Sequence, residues 1–308
     1  MSDSAAILYL HAVTSLHPGS GTALGVVDLP IQRERHTNWP VVPGSSLKGV
    51  LREAMRPKLG GNGEWEAIFG PDTKRNTKSD TESDTKNASA HAGAATFTDA
   101  RLLAFPVRSL KGVFAWVTCK AVLDRYARDL TLAGITADGL SVSDPPTGHM
   151  LTPKNCPLLI EDNAALLEEF DFTRAGDSAP VAEWLSRHAG VDAAAQERLR
   201  SHLVVLNETD FTHFAVHATE IIARVGIDAA TRTVRTGALF YEEFLPPETL
   251  LYAVILASPS RRQEMAMGSG AILARLADNM PPVLQIGAGE TIGKGLVRAL
   301  LRRGEVQQ

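Results

Sequence analysis

Cysteine is nearly absent: Cys119 and Cys156 are the two in 308 residues. Two thiols cannot complete a four-ligand zinc site by themselves and are too few for a disulfide framework, so both read as ordinary thiols. Long apolar runs are missing too. A run such as residues 250–257 is less than half of the roughly 20 residues that cross a bilayer. The opening Met1-Ser-Asp-Ser lacks the basic stretch of a secretory signal, and the expectation is a soluble, cytoplasmic protein with no membrane partner. No Gly-x-Ser-x-Gly elbow occurs, which leaves acyl transfer without support. Nor is there a surplus of positive charge. The 31 Lys plus Arg against 35 Asp plus Glu give a net charge of −4, which argues against a protein that coats nucleic acid over its whole surface.

What is present is ample apolar material, 44% of the chain, for one large domain or two intimate ones. The charge total also hides a pattern. Residues 31–60 carry Arg33, Arg35, Lys48, Arg52, Arg56 and Lys58 against Glu34 and Glu53, whereas residues 285–303 carry Lys294, Arg298, Arg302 and Arg303 against Glu290. Residues 161–171 hold only acids among their charges. Any one such run is ordinarily a solvated face, but two basic segments far apart in sequence, each beside glycines, suggest a shared anion site.

Residues 5–14 are apolar enough for a central strand, and His17-Pro-Gly-Ser-Gly-Thr then interrupts any regular element. An irregular loop or short hairpin is expected after Val26. Leu47, Val50, Leu51, Ala54 and Met55 stand at helical spacing behind Ser45, a hydroxyl N-cap candidate, which predicts an amphipathic helix with a basic polar face. Strands are expected near 6–14, 96–104 and 112–119, helices at 120–132, 180–200, 209–222 and 261–279, and strands at 250–257 and 296–301. A turn at 224–228 leads into a hairpin. The polar tract 72–93 lacks any large apolar residue and reads as a flexible loop. The order points to a single α+β domain of ferredoxin-like type over residues 1–308, with an inserted region at 140–200.

Three features could carry chemistry. Gly287-Ala-Gly-Glu-Thr-Ile-Gly-Lys-Gly fails the Walker A and dinucleotide templates, because Ala288, Ile292 and Gly295 stand where other residues are required. It remains a loop whose glycines let backbone amides approach phosphate, with Lys294 adding charge; a strand-entry bulge is the plainer alternative. His213 and His217 share the i, i+4 spacing of a metal pair but lack the glutamate of a zinc protease, and read as core or surface histidines. Asp28 sits in an irregular segment of mixed apolar and basic residues. Alone it is a turn former; beside RNA it could hold a divalent ion, Mg2+, whose other ligands come from water and phosphate, or orient a reacting 2'-hydroxyl.

Several longer blocks, namely His17-Pro-Gly-Ser-Gly-Thr, Val26-Val-Asp-Leu-Pro-Ile-Gln-Arg-Glu-Arg-His-Thr, Trp39-Pro-Val-Val-Pro-Gly-Ser-Ser-Leu-Lys-Gly, Gly237-Ala-Leu-Phe-Tyr-Glu-Glu and the 287–298 loop, resemble the RAMP superfamily. The resemblance is to the backbone (slicer) subunits of type III-B CRISPR Cmr effector complexes, and runs in order from about residue 10 to residue 298. It implies an RRM-like antiparallel palm, a finger or lid insertion and a thumb hairpin at 224–245. It also implies copies stacked as a helical filament along guide RNA (crRNA), with other Cmr subunits, and an endoribonuclease that cuts the paired target RNA at regular intervals.

By the same resemblance Asp28 is the cleaving carboxylate, with His17 and the Glu242-Glu243 pair near the cleavage region. Ser45, Lys48 and Arg52 match the helix start that grips the guide backbone, and Gly287, Gly289, Gly293 and Lys294 match the glycine loop. Guide binding of this kind should use amides, a helix N-terminus and basic side chains, since base pairing supplies specificity. A scaffold of the same superfamily that binds RNA without cutting it, and a small-molecule enzyme using the glycine loop for a nucleotide, remain the alternatives.

Overall fold

The computed structural model describes residues 4–61, 63–71, 91–161 and 163–304. Of the polar tract 72–93, residues 72–90 lie outside the described residues. The chain starts with β1 (Ser4–Ala12), buried from Ala6 onward as its unbroken apolar run requires of a strand covered on both faces. After an irregular stretch come β2 (Val41–Val42), α1 (Gly44–Leu59) and α2 (Glu64–Phe69), then β3 (Ala95–Phe97), β4 (Ala100–Arg108), β5 (Phe114–Cys119) and α3 (Lys120–Leu132). The middle of the chain supplies β6 (His149–Leu151), β7 (Ala164–Leu167), β8 (Phe170–Gly176), α4 (Ala179–His188), α5 (Ala193–His202), β9 (Leu203–Leu206) and α6 (Glu208–His217). A hairpin, β10 (Glu220–Ile227) and β11 (Val234–Phe244), precedes β12 (Leu250–Ala257), α7 (Ser269–Asn279), β13 (Val283–Gln285) and β14 (Leu296–Arg303).

Twelve strands form one mixed sheet in the order β13-β14-β1-β12-β4-β5-β9-β6-β8-β7, with β2 on β4 and β3 on β12. All named pairs are antiparallel except β5 with β9 and β6 with β8. Residues 140–200 thus extend the main sheet rather than fold apart from it. α1 buries Leu47, Leu51, Met55 and Leu59, a stripe at four-residue spacing, and each such side chain contributes about 1.5–3 kcal/mol of transfer free energy. Among the described residues, β10 and β11 pair as strands only with each other. Their cross-strand pairs Ala223–Tyr241, Val225–Leu239 and Ile227–Val234 turn an apolar ladder to solvent, with Val225, Ile227, Val234 and Leu239 each about half exposed.

Five local expectations change. Where a turn was expected at 224–228, β10 runs on as strand to Ile227. Ser45 does not cap α1; the helix begins at Gly44, whose N–H donates to Asp99 Oδ1 at 2.7 Å, so the capping oxygen arrives from a residue next to β3. The 209–222 helix stops at His217, and Glu220 starts a strand whose period-two burial overrides the helical propensity of the segment. The 180–200 helix is two, broken where Gly190 adopts φ +69° and packs tightly against Tyr9 and Leu300. The last helix starts at Ser269, after a turn from Arg262 to Met265, not at residue 261.

Both cysteines are buried. Burial pushes the Cys119 thiol up from 9.0 to about 12, and raises Cys156 as well. A raised folded-state pKa contributes stability that is complete below the unfolded value and lost as pH rises toward the folded one. Both thiols should therefore resist a disulfide reagent at pH 8 in the native chain and react at once in urea. Replacing Asp99 by Ala should lower stability by about 1–2 kcal/mol in urea unfolding by orphaning the Gly44 N–H, with no change in the other elements.

Candidate active site

The foot of β11 organises the site. Its backbone runs beside two loops from the first part of the chain and bonds to both. Tyr241 O accepts from the amides of Asp28 (3.1 Å) and Leu29 (3.0 Å), and Tyr241 N–H donates to Asp28 Oδ2 at 2.7 Å. Glu243 N–H donates to Leu29 O at 3.0 Å, and Leu245 exchanges both backbone bonds with Leu16 at 2.8 and 2.9 Å. The Asp28 segment thus lies as an extra ribbon along the hairpin edge, which fixes the carboxylate at Tyr241.

His17 is 5% exposed. Its Nδ1 lies 2.6 Å from the Glu243 carbonyl oxygen, which only accepts, so Nδ1 carries a proton. Nε2 stands 3.8 Å from Glu242 Oε1, and the ring rests on Phe244 at 5.5 Å between centroids. Glu242 is itself 3% exposed, and its other oxygen accepts from Arg224 Nη1 at 2.6 Å. A buried carboxylate is costly unless paired; here Arg224 meets that need, with the His17 ring alongside. Glu243 is equally enclosed, and accepts from Ile31 N–H (3.0 Å), Thr219 Oγ1 (2.8 Å) and Arg33 Nη2.

The glycine loop closes on the same residues. Ala288 N–H donates to His17 O at 3.1 Å and Gly295 N–H to Ser15 O at 2.9 Å. Gly287 has φ +80°, and a Cβ there would collide with the His17 carbonyl oxygen. Gly289 and Gly293, both also left-handed, flank a single 3-10 turn, Glu290–Ile292. Lys294 Nζ is 3.1 Å from Ser15 Oγ and 5.0 Å from the Phe244 ring centre. A cleft of about 330 Å³ lies where these parts meet, lined by His17, Gly19, Leu29, Pro43, Ser46 and Gly287 among others.

The fold therefore brings His17, Glu242, Gly287 and Lys294 around Phe244, with Asp28 at the neighbouring Tyr241. The first turn of α1 reaches the cleft through Pro43 and Ser46, whereas Ser45 is exposed beside it. Lys48 is half-buried further along α1. Arg52 is turned onto α2: its guanidinium lies 4.2 Å above the Trp65 ring, and Nη2 donates to Pro71 O at 3.1 Å. Sequence reasoning missed Arg33, Ser46, Arg224 and the separate task of Glu243. Nothing local marks them, since Arg33 and Glu243 are 210 residues apart.

His213 and His217 are exposed on α6 with ring centroids 4.8 Å apart, and Phe170 packs against His213. Among the described residues no group of three or more His, Cys, Asp or Glu is placed to hold a metal ion. Asp28 alone offers one carboxylate, with one of its oxygens already bonded to Tyr241. That fits a Mg2+ completed by water and RNA phosphate and does not fit an ion caged by protein.

The profile of the RAMP superfamily matches residues 9–298. The chain belongs to this superfamily, in its Cmr4 family. It is 37% identical over 297 residues to the CRISPR system Cmr endoribonuclease Cmr4 of Pyrococcus furiosus, which covers 95% of this chain and 94% of that one. It is 27% identical to the CRISPR system CMR subunit Cmr4 of Saccharolobus solfataricus, over 94% of each chain. Among solved structures, oligomeric Cmr4 from Pyrococcus furiosus superposes with a TM-score of 0.71 at 29% identity, covering 97% of this chain and 98% of that one. A chain of the type III-B Cmr-β complex bound to cognate target RNA matches with a TM-score of 0.73 over 97% and 98% of the two chains; at 22% identity it shows the fold alone. Among the described residues, no helix is long and apolar enough to cross a membrane.

The packing separates two glycines that look alike in sequence. Gly287→Ala meets both a left-handed φ and the His17 carbonyl, whereas Gly293→Ala at φ +75° finds no atom within 4 Å of its new Cβ. Urea unfolding should show a loss of about 1–2 kcal/mol for Gly293→Ala, and a larger loss for Gly287→Ala.

Proposed function

We propose that the chain is a guide-RNA-binding backbone subunit of a type III-B CRISPR complex and that it cuts complementary target RNA with Asp28 at the scissile phosphate. The observation that carries this reading is the convergence of the His17 loop, the Asp28 ribbon, the glycine loop and the first turn of α1 on one cleft beside an exposed hairpin. The 37% identical relative is an endoribonuclease, which supports the same chemistry. The sheet core is read as an RRM-like palm. Its strand order β14-β1-β12-β4, all antiparallel, with α1 and α7 as the crossovers, supports that reading.

Guide binding falls to the glycine loop and the α1 start, where backbone amides and the helix N-terminus meet phosphate without reading bases. The target strand brings its own nucleophile, a 2'-hydroxyl, so the protein must splay the nucleotide and stabilise charge at the phosphate. The apolar ladder of β10 and β11 suits splaying, since it presents ring and aliphatic surface with no partner of its own in the described chain. Leu24 and Val26, just before Asp28, are exposed apolar residues as well. A divalent ion at Asp28 would neutralise phosphate charge. His17 serves best as an orienting group: its Nδ1–H is committed to β11 and its Nε2 faces Glu242, so protonating a leaving oxygen would require the ring to turn. Copies of the chain in a filament, crRNA, target RNA and other Cmr subunits are the partners.

The deciding experiment is cleavage by the assembled complex. Asp28→Asn should bind target normally and cut at least about a hundredfold more slowly; cutting at the normal rate and spacing would remove Asp28 from the reaction and favour the scaffold alternative. Lys48→Ala should reduce the slope of log affinity for guide against log salt by about one unit.

A further inference from the structure

Resting on the reading of Asp28 above, the geometry points to Glu243 and Arg33 as positioning residues: together they latch the Asp28 ribbon to both feet of the hairpin. Three donors from three places meet the Glu243 carboxylate. Ile31 N–H, three residues beyond Asp28, donates to Oε2 at 3.0 Å; Thr219 Oγ1, at the foot of β10, donates to Oε1 at 2.8 Å; Arg33 Nη2 reaches the same Oε1. Arg33 in turn donates to Ala215 O at 3.0 Å and Val216 O at 3.4 Å, which terminates α6, and to Asn38 O at 2.8 Å.

Glu243 and Arg33 side chains are 8% and 15% exposed, so neither contributes its charge to the cleft surface. The carboxylate needs both oxygens to satisfy its donors. Glutamine offers one acceptor and turns an N–H group toward a donor, so Glu243→Gln must release at least one of the three. Position at the ribbon then decides rate, because small misplacements of a reacting group cost far more in chemistry than in binding. The latch adds a side-chain tie to the backbone bonds that already hold the ribbon on β11, so a shift of β10 on RNA also reaches the ribbon, through Thr219 and the Glu243 carboxylate.

The test uses the assembled complex with guide and labelled target, comparing Glu243→Gln, Arg33→Lys and Thr219→Val. Single-turnover cleavage by Glu243→Gln should fall about a hundredfold, with target affinity unchanged. Amide exchange at Leu29 and Ile31 should quicken while exchange in β1 and β12 stays as in the parent. Arg33→Lys, which keeps the charge but loses the fork, should fall between the two, and Thr219→Val should show the smallest effect. A normal rate in Glu243→Gln overturns the latch, and so does slow cutting with unchanged exchange at Ile31 or with a parallel loss of target affinity. If Glu243→Gln does not assemble, Arg33→Lys and Thr219→Val decide by the same measurements. Exchange reads the latch without reference to activity, whereas Asp28→Asn reads the reaction; a quickened ribbon in a chain whose Asp28→Asn variant still cuts would refute the reaction and leave the latch standing.

Discussion

Backbone pairing from Tyr241 at the foot of β11 to Leu245 just beyond it holds the rest of the site in place. Those bonds capture Leu16 on one side and Asp28 to Leu29 on the other, so two loops that no local rule would order become parts of a sheet edge. Each bond is modest by itself, about 0.5–1.5 kcal/mol net. Their effect is geometric: once Leu16 and Leu29 are registered, the positions of His17 and Asp28 follow. The glycine loop completes the arrangement from the far end of the chain by bonding to Ser15 and His17.

This arrangement carries an electrostatic cost that the sequence does not advertise. Glu242 and Glu243, adjacent in a strand and both nearly enclosed, are each given an arginine, Arg224 and Arg33 respectively. Removing either arginine would leave a buried carboxylate uncompensated, which is worse than never having placed the pair. The two glutamates serve different clients: one faces His17, the other the Asp28 ribbon and α6. Their strand alternation separates those tasks to opposite faces of β11.

The blocks around residues 17, 28 and 287 were readable because glycine, proline and charge occur there in combinations that no regular element tolerates, and those around 45 and 242 because they resemble the family's blocks. A shared anion site was the expectation drawn from them; the fold brings Pro43 and Ser46 at the start of α1 and Gly287 and Ala288 of the glycine loop to one cleft, with neither Lys48 nor Lys294 in its lining. Arg52 shows the limit of that reasoning. Its place on the polar face of α1 is a matter of periodicity, but its engagement with Trp65 depends on α2, which packs there for reasons outside the helix. Likewise Ser45 has the chemistry of a cap, yet Asp99 supplies the oxygen because β3 and β4 bring it to Gly44.

By itself the sequence determined the elements whose patterns are long, β1, α1, α3 and β12, because unbroken apolar runs and four-residue spacing are properties of the chain alone. It also determined the family blocks, and with them the candidate carboxylate. The tertiary structure decided which glutamate faces His17 and which secures Asp28, why Gly287 must be glycine while Gly293 has room around it, and where α6 gives way to β10. Those choices depend on pairs such as Arg33 with Glu243 and His17 with Gly287, more than 200 residues apart, whose energies exist only after the backbone has closed the distance.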